Sequence, residues 1–341
     1  MKIFLRILLL MIMISRMSEA TPIVEIDFDK PKEMTTSEPA EEFSPVIVSF
    51  AGDCAFDSFL LEAYWKNGAG YYLGNVKHIF TADDITFVNL EGALTKQSTT
   101  EIKEFSLRGE PKYVEILTSS SVEICNLANN HIYDCGEGGF KDTVNLLKAN
   151  DIKFCGEGYS EIIDVRGMKI GFLGYQAWAD TCDLRERLST DIKNIQTSGA
   201  EVVIVEFHWG YELDHVSLPY QTQIAHFTID SGADIVVGAH PHVMQGIELY
   251  NGKVIAYSLG NFCFGANINP RDKETFILQA TLTKNAETVS ITPHVIPCRI
   301  SSTNAYNDFC PTPVIDAEAE QVLNHLADYS KGYGHTIDFS N

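Results

Sequence analysis

The run EVVIVEFHWG, residues 201–210, puts apolar side chains on nearly every position before it stops at His208, Trp209 and Gly210. A strand apolar on consecutive positions needs cover on both faces, so a sheet built from such strands must lie between other layers. The pattern recurs. VIVSFAGD ends at Asp53, ITFVNLE at Glu91, VEICNLANNH at Asn129-Asn130-His131, and DIVVGAHPH at His240-Pro241-His242. Helical patterns near 58–66, 71–80, 111–119, 137–149, 185–198 and 218–230 separate or follow these runs, and further strands are expected near Ile152 and on either side of Gly167. Beyond Gly246 the segment GIELYNGKVIAYSLGNFCF holds Asn251-Gly252 between β-rich runs, a strong hairpin signal. The expected fold is an α/β sandwich of two mixed sheets, with neither internal repeat nor later membrane span.

The carboxyl ends of strands in an open α/β sheet line the crevice where ligands bind. Here those ends carry Asp53, Glu91, Asn130, His131, His208, His240 and His242. Oxygen and imidazole donors in this mixture suit a divalent transition metal. Taken singly, each residue has a plainer reading: Asp53 as a cap for a helix at 58–66, Glu91 as a lysine partner, Asn130 as a turn residue, the two histidines as partners of loop carbonyls. Those readings would all have to hold in one strand-end register, and the joint pattern favours a metal site. The remaining histidines, His78, His215, His226, His294, His325 and His335, read as surface or structural residues.

Charge narrows the partners. The formal net charge is −21, from 46 acids against 25 Lys plus Arg, which repels phosphate backbones and excludes nucleic acid as the expected partner. At the N-terminus Lys2 and Arg6 precede the apolar stretch Ile7–Ile14, and Ser18-Glu19-Ala20 offers a small-residue cleavage site. Residues 1–20 thus read as a signal peptide or signal anchor, giving an extracytoplasmic location, secreted or at the cell surface. Residues 21–44 are acidic and lack apolar periodicity, so they read as a disordered linker. The domain proper is expected over 45–300, with 301–341 a C-terminal tail bearing a short helix. Of eight cysteines, Cys54, Cys125, Cys155 and Cys263 fall in strand-like runs and read as small buried hydrophobes. Cys135, Cys182, Cys298 and Cys310 read as more exposed, with Cys298 and Cys310 placed to close a loop.

The motifs GD at 52–53, VNLEGAL at 88–94, NLANNHIYDCGEGGFKDT at 126–143, HWGYE at 208–212, GAHPHVMQGIE at 238–248 and YSLGNFCF at 257–264 resemble the CapA family. These are capsule or poly-γ-glutamate biosynthesis proteins on the calcineurin-like metallophosphoesterase fold. The resemblance runs from about Ile47 to about Ile296 and implies a four-layer α/β/β/α sandwich. It also implies one or two divalent ions, with Mn, Zn or Fe suitable. Asp53 and His242 would hold one ion, Asn130, His208 and His240 the other, and Glu91 would bridge them. His131 would protonate a leaving group, oriented by Asp134, while Glu212 is family-typical without a stated task. Two positions depart from the wider phosphoesterase pattern: Ala55 stands where a histidine is usual, and Glu91 where an aspartate is. The first ion is left with few ligands, unless Asp57 adds an oxygen. The implied function is synthesis, export or anchoring of an anionic surface polymer such as poly-γ-glutamate, alongside a membrane synthase or channel partner. The sequence leaves open whether this metallophosphoesterase-like site is a working hydrolase. Two other readings stand beside it: a metal-dependent phosphoesterase with no capsule role, and a non-catalytic module holding one ion.

Overall fold

The structure is a computed structural model that describes residues 44–57, 61–100, 103, 105–285 and 288–339. The expected leader at 1–20 and all but the last residue of the expected linker lie outside the described residues. In chain order the strands are β1 Val46–Ala55, β2 Ile85–Leu90, β3 Ala93–Leu94, β4 Arg108–Gly109, β5 Ile124–Asn126, β6 Lys153–Cys155, β7 Glu161–Val165 and β8 Met168–Ala177. They continue as β9 Val202–Trp209, β10 Ile235–Ala239, β11 Ile247–Tyr250, β12 Lys253–Ala256, β13 Asn261–Phe264, β14 Glu274–Lys284, β15 Val289–Arg299 and β16 Thr312–Pro313. The α-helices are α1 Lys77–Phe80, α2 Val114–Thr118, α3 Gly136–Ala149, α4 Cys182–Thr197, α5 Pro219–Asp230 and α6 Asp316–Ser330.

Two mixed sheets result. One runs β16-β15-β14-β1-β2-β5-β6, with β13 also pairing β1; the other runs β11-β12-β10-β9-β8-β7. Strand alternation then sorts side chains into three apolar layers. Val48 and Phe50 of β1 and Phe87 of β2 meet Phe172, Val202 and Ile204 between the sheets. Val88, Leu90 and Cys125 face outward with Leu117, Val144 and Leu147 of α2 and α3. Val203, Val205 and Phe207 of β9 face the other way, against Leu188 and Ile192 of α4 and Ile224 of α5. Helices outside two stacked sheets make the four-layer α/β/β/α sandwich expected from the sequence.

Several local expectations change. The helix read near 71–80 shrinks to the single turn α1; of the one read near 58–66, residues 58–60 lie outside the described residues, Leu61 is helical, and a 3-10 turn follows at Trp65–Asn67. Gly68, Gly70 and Gly74 crowd this stretch, and glycine is among the poorest helix formers. The strand read across VEICNLANNH ends at Asn126, whose Oδ1 accepts the Ala128 N–H at 3.0 Å and turns the chain. Residues 301–339 pack into the same unit: Val322 and Leu326 of α6 are buried in the inter-sheet core, and His335 O accepts the Leu249 N–H at 2.9 Å. Cys135, Cys298 and Cys310 are buried, leaving Cys182 as the exposed cysteine, and all eight are free thiols. The Cys298–Cys310 loop is not closed. The Cys310 thiol donates instead to Tyr71 O at 3.1 Å and the Cys298 thiol to Ile296 O at 3.4 Å.

Candidate metal centre

Each site residue is delivered by a local device. In β1 an extra residue sits between Ala51, which pairs with Val88, and Asp53, which pairs with Asn89. This bulge reverses the alternation, so Cys54 stays in the outer layer and Asp53 turns inward. Gly52 fills the bulge because a Cβ there would lie 1.9 Å from Gly260 O. On β9 the even positions face between the sheets, which sends Glu206 and His208 inward. After β10 the chain adopts φ of 93° at His240 and 59° at His242. Those left-handed values are strained for residues with a Cβ, the kind of strain that collects at functional sites. Ser258 braces the turn, donating to Val243 O at 2.8 Å.

The structure brings together all eight residues singled out from the sequence. Asp53, fully buried, accepts from Asn89 Nδ2 at 2.8 Å and from the His240 N–H at 3.1 Å, and its Oδ2 lies 3.2 Å from His242 Nδ1. Asn130 Oδ1 lies 2.8 Å from His208 Nε2. Glu91 Oε1 stands 3.7 Å from His131 Nε2 and 3.9 Å from His242 Nε2. The rings of His208 and His240 are 4.7 Å apart, with Trp178 standing edge-on 4.8 Å from His240. Asp134 holds His131 by Nδ1 at 2.6 Å, and also accepts from Lys103 Nζ at 2.6 Å and the Leu107 N–H at 2.8 Å.

A layer of amides behind these residues went unassigned in the sequence. Asn126 Nδ2 donates to Glu206 Oε1 at 3.2 Å, Asn129 Nδ2 to Leu90 O at 2.8 Å, and Asn89 links this set to Asp53. Glu206 was hidden inside an apolar run, where a single acid reads as noise.

The electrostatics are those of buried carboxylates and imidazoles crowded together. Burial pushes the Glu91 carboxyl far above the usual range, with Asp53, Glu212 and Asp134 adding repulsion that His242 only partly offsets. Neither Glu91 oxygen has a hydrogen-bond partner, nor has His240 Nδ1. Burial and neighbouring imidazoles lower His208 strongly and His240 to about 4. Burial would also depress His242, but Glu91 and Asp53 outweigh it and raise the imidazole to about 9. Buried polar atoms are ordinarily satisfied, and the donor set is the mixed carboxylate–imidazole kind that binds divalent metals. The residues fit such an ion. By proximity the ligand atoms fall into two trios, Asp53 with Glu91 and His208, and Glu212 with His240 and His242, each within 4.8 Å. The second trio brings in Glu212, whose task the resemblance left unnamed, and pairs the histidines differently from it. Asp57 is in neither trio.

Beside the cluster opens a cavity of about 620 Å³ lined by His131, Glu212 and His242 and walled by Phe105, Leu107 and Phe264.

Residues 47–266 match the profile of the family described as bacterial capsule synthesis protein PGA_cap. The chain belongs to this family. PGA_cap proteins are part of the metallophosphoesterase-like superfamily. Among curated relatives, the PGA biosynthesis protein CapA of Bacillus subtilis is 33% identical over 258 residues, 70% of this chain and 68% of that protein. The capsule biosynthesis protein CapA of Bacillus anthracis is 27% identical over 319 residues, covering 85% and 75%. A probable polyglutamine synthesis accessory protein of Mycobacterium tuberculosis is 28% identical, covering 65% and 67%. Solved structures that resemble this PGA_cap chain include a hypothetical protein from Thermus thermophilus, TM-score 0.48 at 17% identity over 74% of this chain and 99% of that one. A 5'-nucleotidase from Candida albicans gives TM-score 0.45 at 11% identity over 85% and 59%.

Proposed function

We propose that this PGA_cap protein acts outside the cytoplasm in assembling or retaining an anionic surface polymer such as poly-γ-glutamate, through a crevice that holds one or two divalent cations. The observation that carries this reading is Glu91, a buried carboxylate with neither oxygen hydrogen-bonded, facing His131 and His242. A bound cation offsets that charge and presents a positive face to a polyanion, which a chain of net charge −21 would otherwise repel. Such an ion supplies Lewis-acid polarisation of an oxygen or a bound water. The chain's own contributions are orientation and proton handling: Asp134 fixes the His131 ring so that Nε2 faces the crevice. A membrane synthase or channel partner belongs to the same reading. No described helix is long and apolar enough to cross a membrane.

Metal content of the purified chain tests the site. The wild type is expected to retain Mn²⁺, Zn²⁺ or Fe²⁺ through gel filtration, and His240→Ala to lose at least one ion. Equal content in both removes His240 from the site. The oriented His131–Asp134 pair favours a second reading, hydrolysis without a capsule role, since binding alone does not need a positioned proton donor. Turnover of an aryl phosphate with Mn²⁺, abolished in His131→Ala, would support it.

A further inference from the structure

The cavity beside the candidate metal centre is far larger than one anionic group, and one residue on its lining has no counterpart among the described residues. Arg271 is the one permanent cation among the described residues that line the cavity. The other described arginines are engaged: Arg108 with Glu110, Arg166 with Asp84, Arg185 with Asp180, Arg299 with Glu318, and Arg187 over the Tyr175 ring. Arg271 alone has neither an acidic nor an aromatic partner among the described residues, although the chain carries 46 acids.

Its backbone is held on both sides. Asn307, buried, donates from Nδ2 to Phe264 O at 3.0 Å and to Asn267 O at 2.9 Å. Lys273 Nζ donates to Asn269 Oδ1 at 3.0 Å and Pro270 O at 3.1 Å. Asp272 accepts the Glu274 N–H at 2.9 Å and lies 3.5 Å from His215 Nε2, tying this loop to the one that follows β9. The braced backbone fixes the point from which the Arg271 side chain reaches, and its planar fork fits a carboxylate with two parallel hydrogen bonds.

We propose that Arg271 grips a carboxylate of the substrate while another anionic group of the same molecule meets the metal cluster, so that the cavity takes a γ-linked glutamate oligomer across two residues or more. This rests on the polymer reading above and adds its second contact. Phe105, Leu107 and Phe264 line the same cavity and offer apolar surface to the methylenes of such a chain.

The test is calorimetric titration of γ-linked tetraglutamate into the full chain loaded with Mn²⁺, comparing wild type with Arg271→Gln and Arg271→Lys. Metal content is measured on each sample. Arg271→Gln is expected to bind about tenfold or more weakly with unchanged metal content, the loss of a charge-assisted bidentate contact. Arg271→Lys should recover part of the affinity, and a γ-linked tetraglutamate whose pendant α-carboxyls are amidated should bind all three alike. Equal affinity of wild type and Arg271→Gln for tetraglutamate overturns the assignment while the polymer reading stands. No binding by metal-loaded wild type overturns both. A loss confined to inorganic phosphate assigns Arg271 to a phosphate group instead and overturns the carboxylate proposal.

Discussion

Nδ1 of His131 stands 2.6 Å from Oδ2 of Asp134, and the same carboxylate holds Lys103 Nζ and the Leu107 N–H. Burial opposes its ionisation, but these three donors outweigh burial and hold the carboxyl below its ordinary value of 3.8. A depressed folded pKa gives stability that is present above the unfolded value and lost as pH falls through the folded one. Asp134→Ala should therefore destabilise the protein by about 1–3 kcal/mol at pH 7, because the Leu107 N–H is left unpaired. Urea unfolding at pH 7 and pH 3 checks this; the gap should narrow at the lower pH.

Glu91 should act in opposite directions with and without metal. Without an ion the buried Glu91 carboxyl, raised far above its ordinary value, must take up a proton on folding; Glu91→Gln removes that cost, so in EDTA its Tm is expected to rise by about 2–4 °C. In Mn²⁺ the wild type should gain more from the ion than the variant does, reversing the order. Scanning calorimetry in the two buffers is decisive.

Asp83 supplies a pH signature away from the crevice. Burial raises its carboxyl to about 7, against hydrogen bonds from Ser49 and Thr86, and its Oδ1 has no partner. An acid with a raised folded pKa keeps its proton when folded, so stability falls as pH climbs from 3.8 towards 7 and levels above that. Asp83→Asn should remove this decline, gaining about 1 kcal/mol at pH 8 after allowance for solvent. At pH 4 the two proteins should melt together.

Thiol labelling follows from burial. In the native protein a bulky maleimide should modify Cys182 alone, one of eight, and all eight after unfolding. Intact-mass spectrometry reads the count, and Cys182→Ser should reduce native labelling to none.

Gly52→Ala should be severe, since its Cβ would fall 1.9 Å from Gly260 O. The expected loss is about 3 kcal/mol or more in urea unfolding, with metal content falling because Asp53 is displaced with the bulge.

The sequence revealed the site's members more readily than the reasons they meet. Asp53, Glu91, His208 and His240 lie at or just past parallel strand ends, and a parallel sheet gathers such ends on one edge by construction. Nothing in the residue string shows that Gly52 is an inserted residue; that emerges only when β1 is paired with β2. Glu206 and Asn126 escaped notice because period-2 logic assigns faces without saying which buried face holds a polar network. α6 looked like part of a tail because its partners, on the far side of the chain's order, are contributed by the inter-sheet core. Cys298 and Cys310 looked exposed for the same reason, their cover coming from residues distant in sequence.

Asp53, Glu91 and Asn130 come from one sheet and its loops, whereas His208, His240 and His242 come from the other. An ion seated among them would be a rivet through both leaves of the sandwich. Amide exchange in β1 and β9 should then slow together on loading, because neither leaf could slide without tearing ligands from the metal.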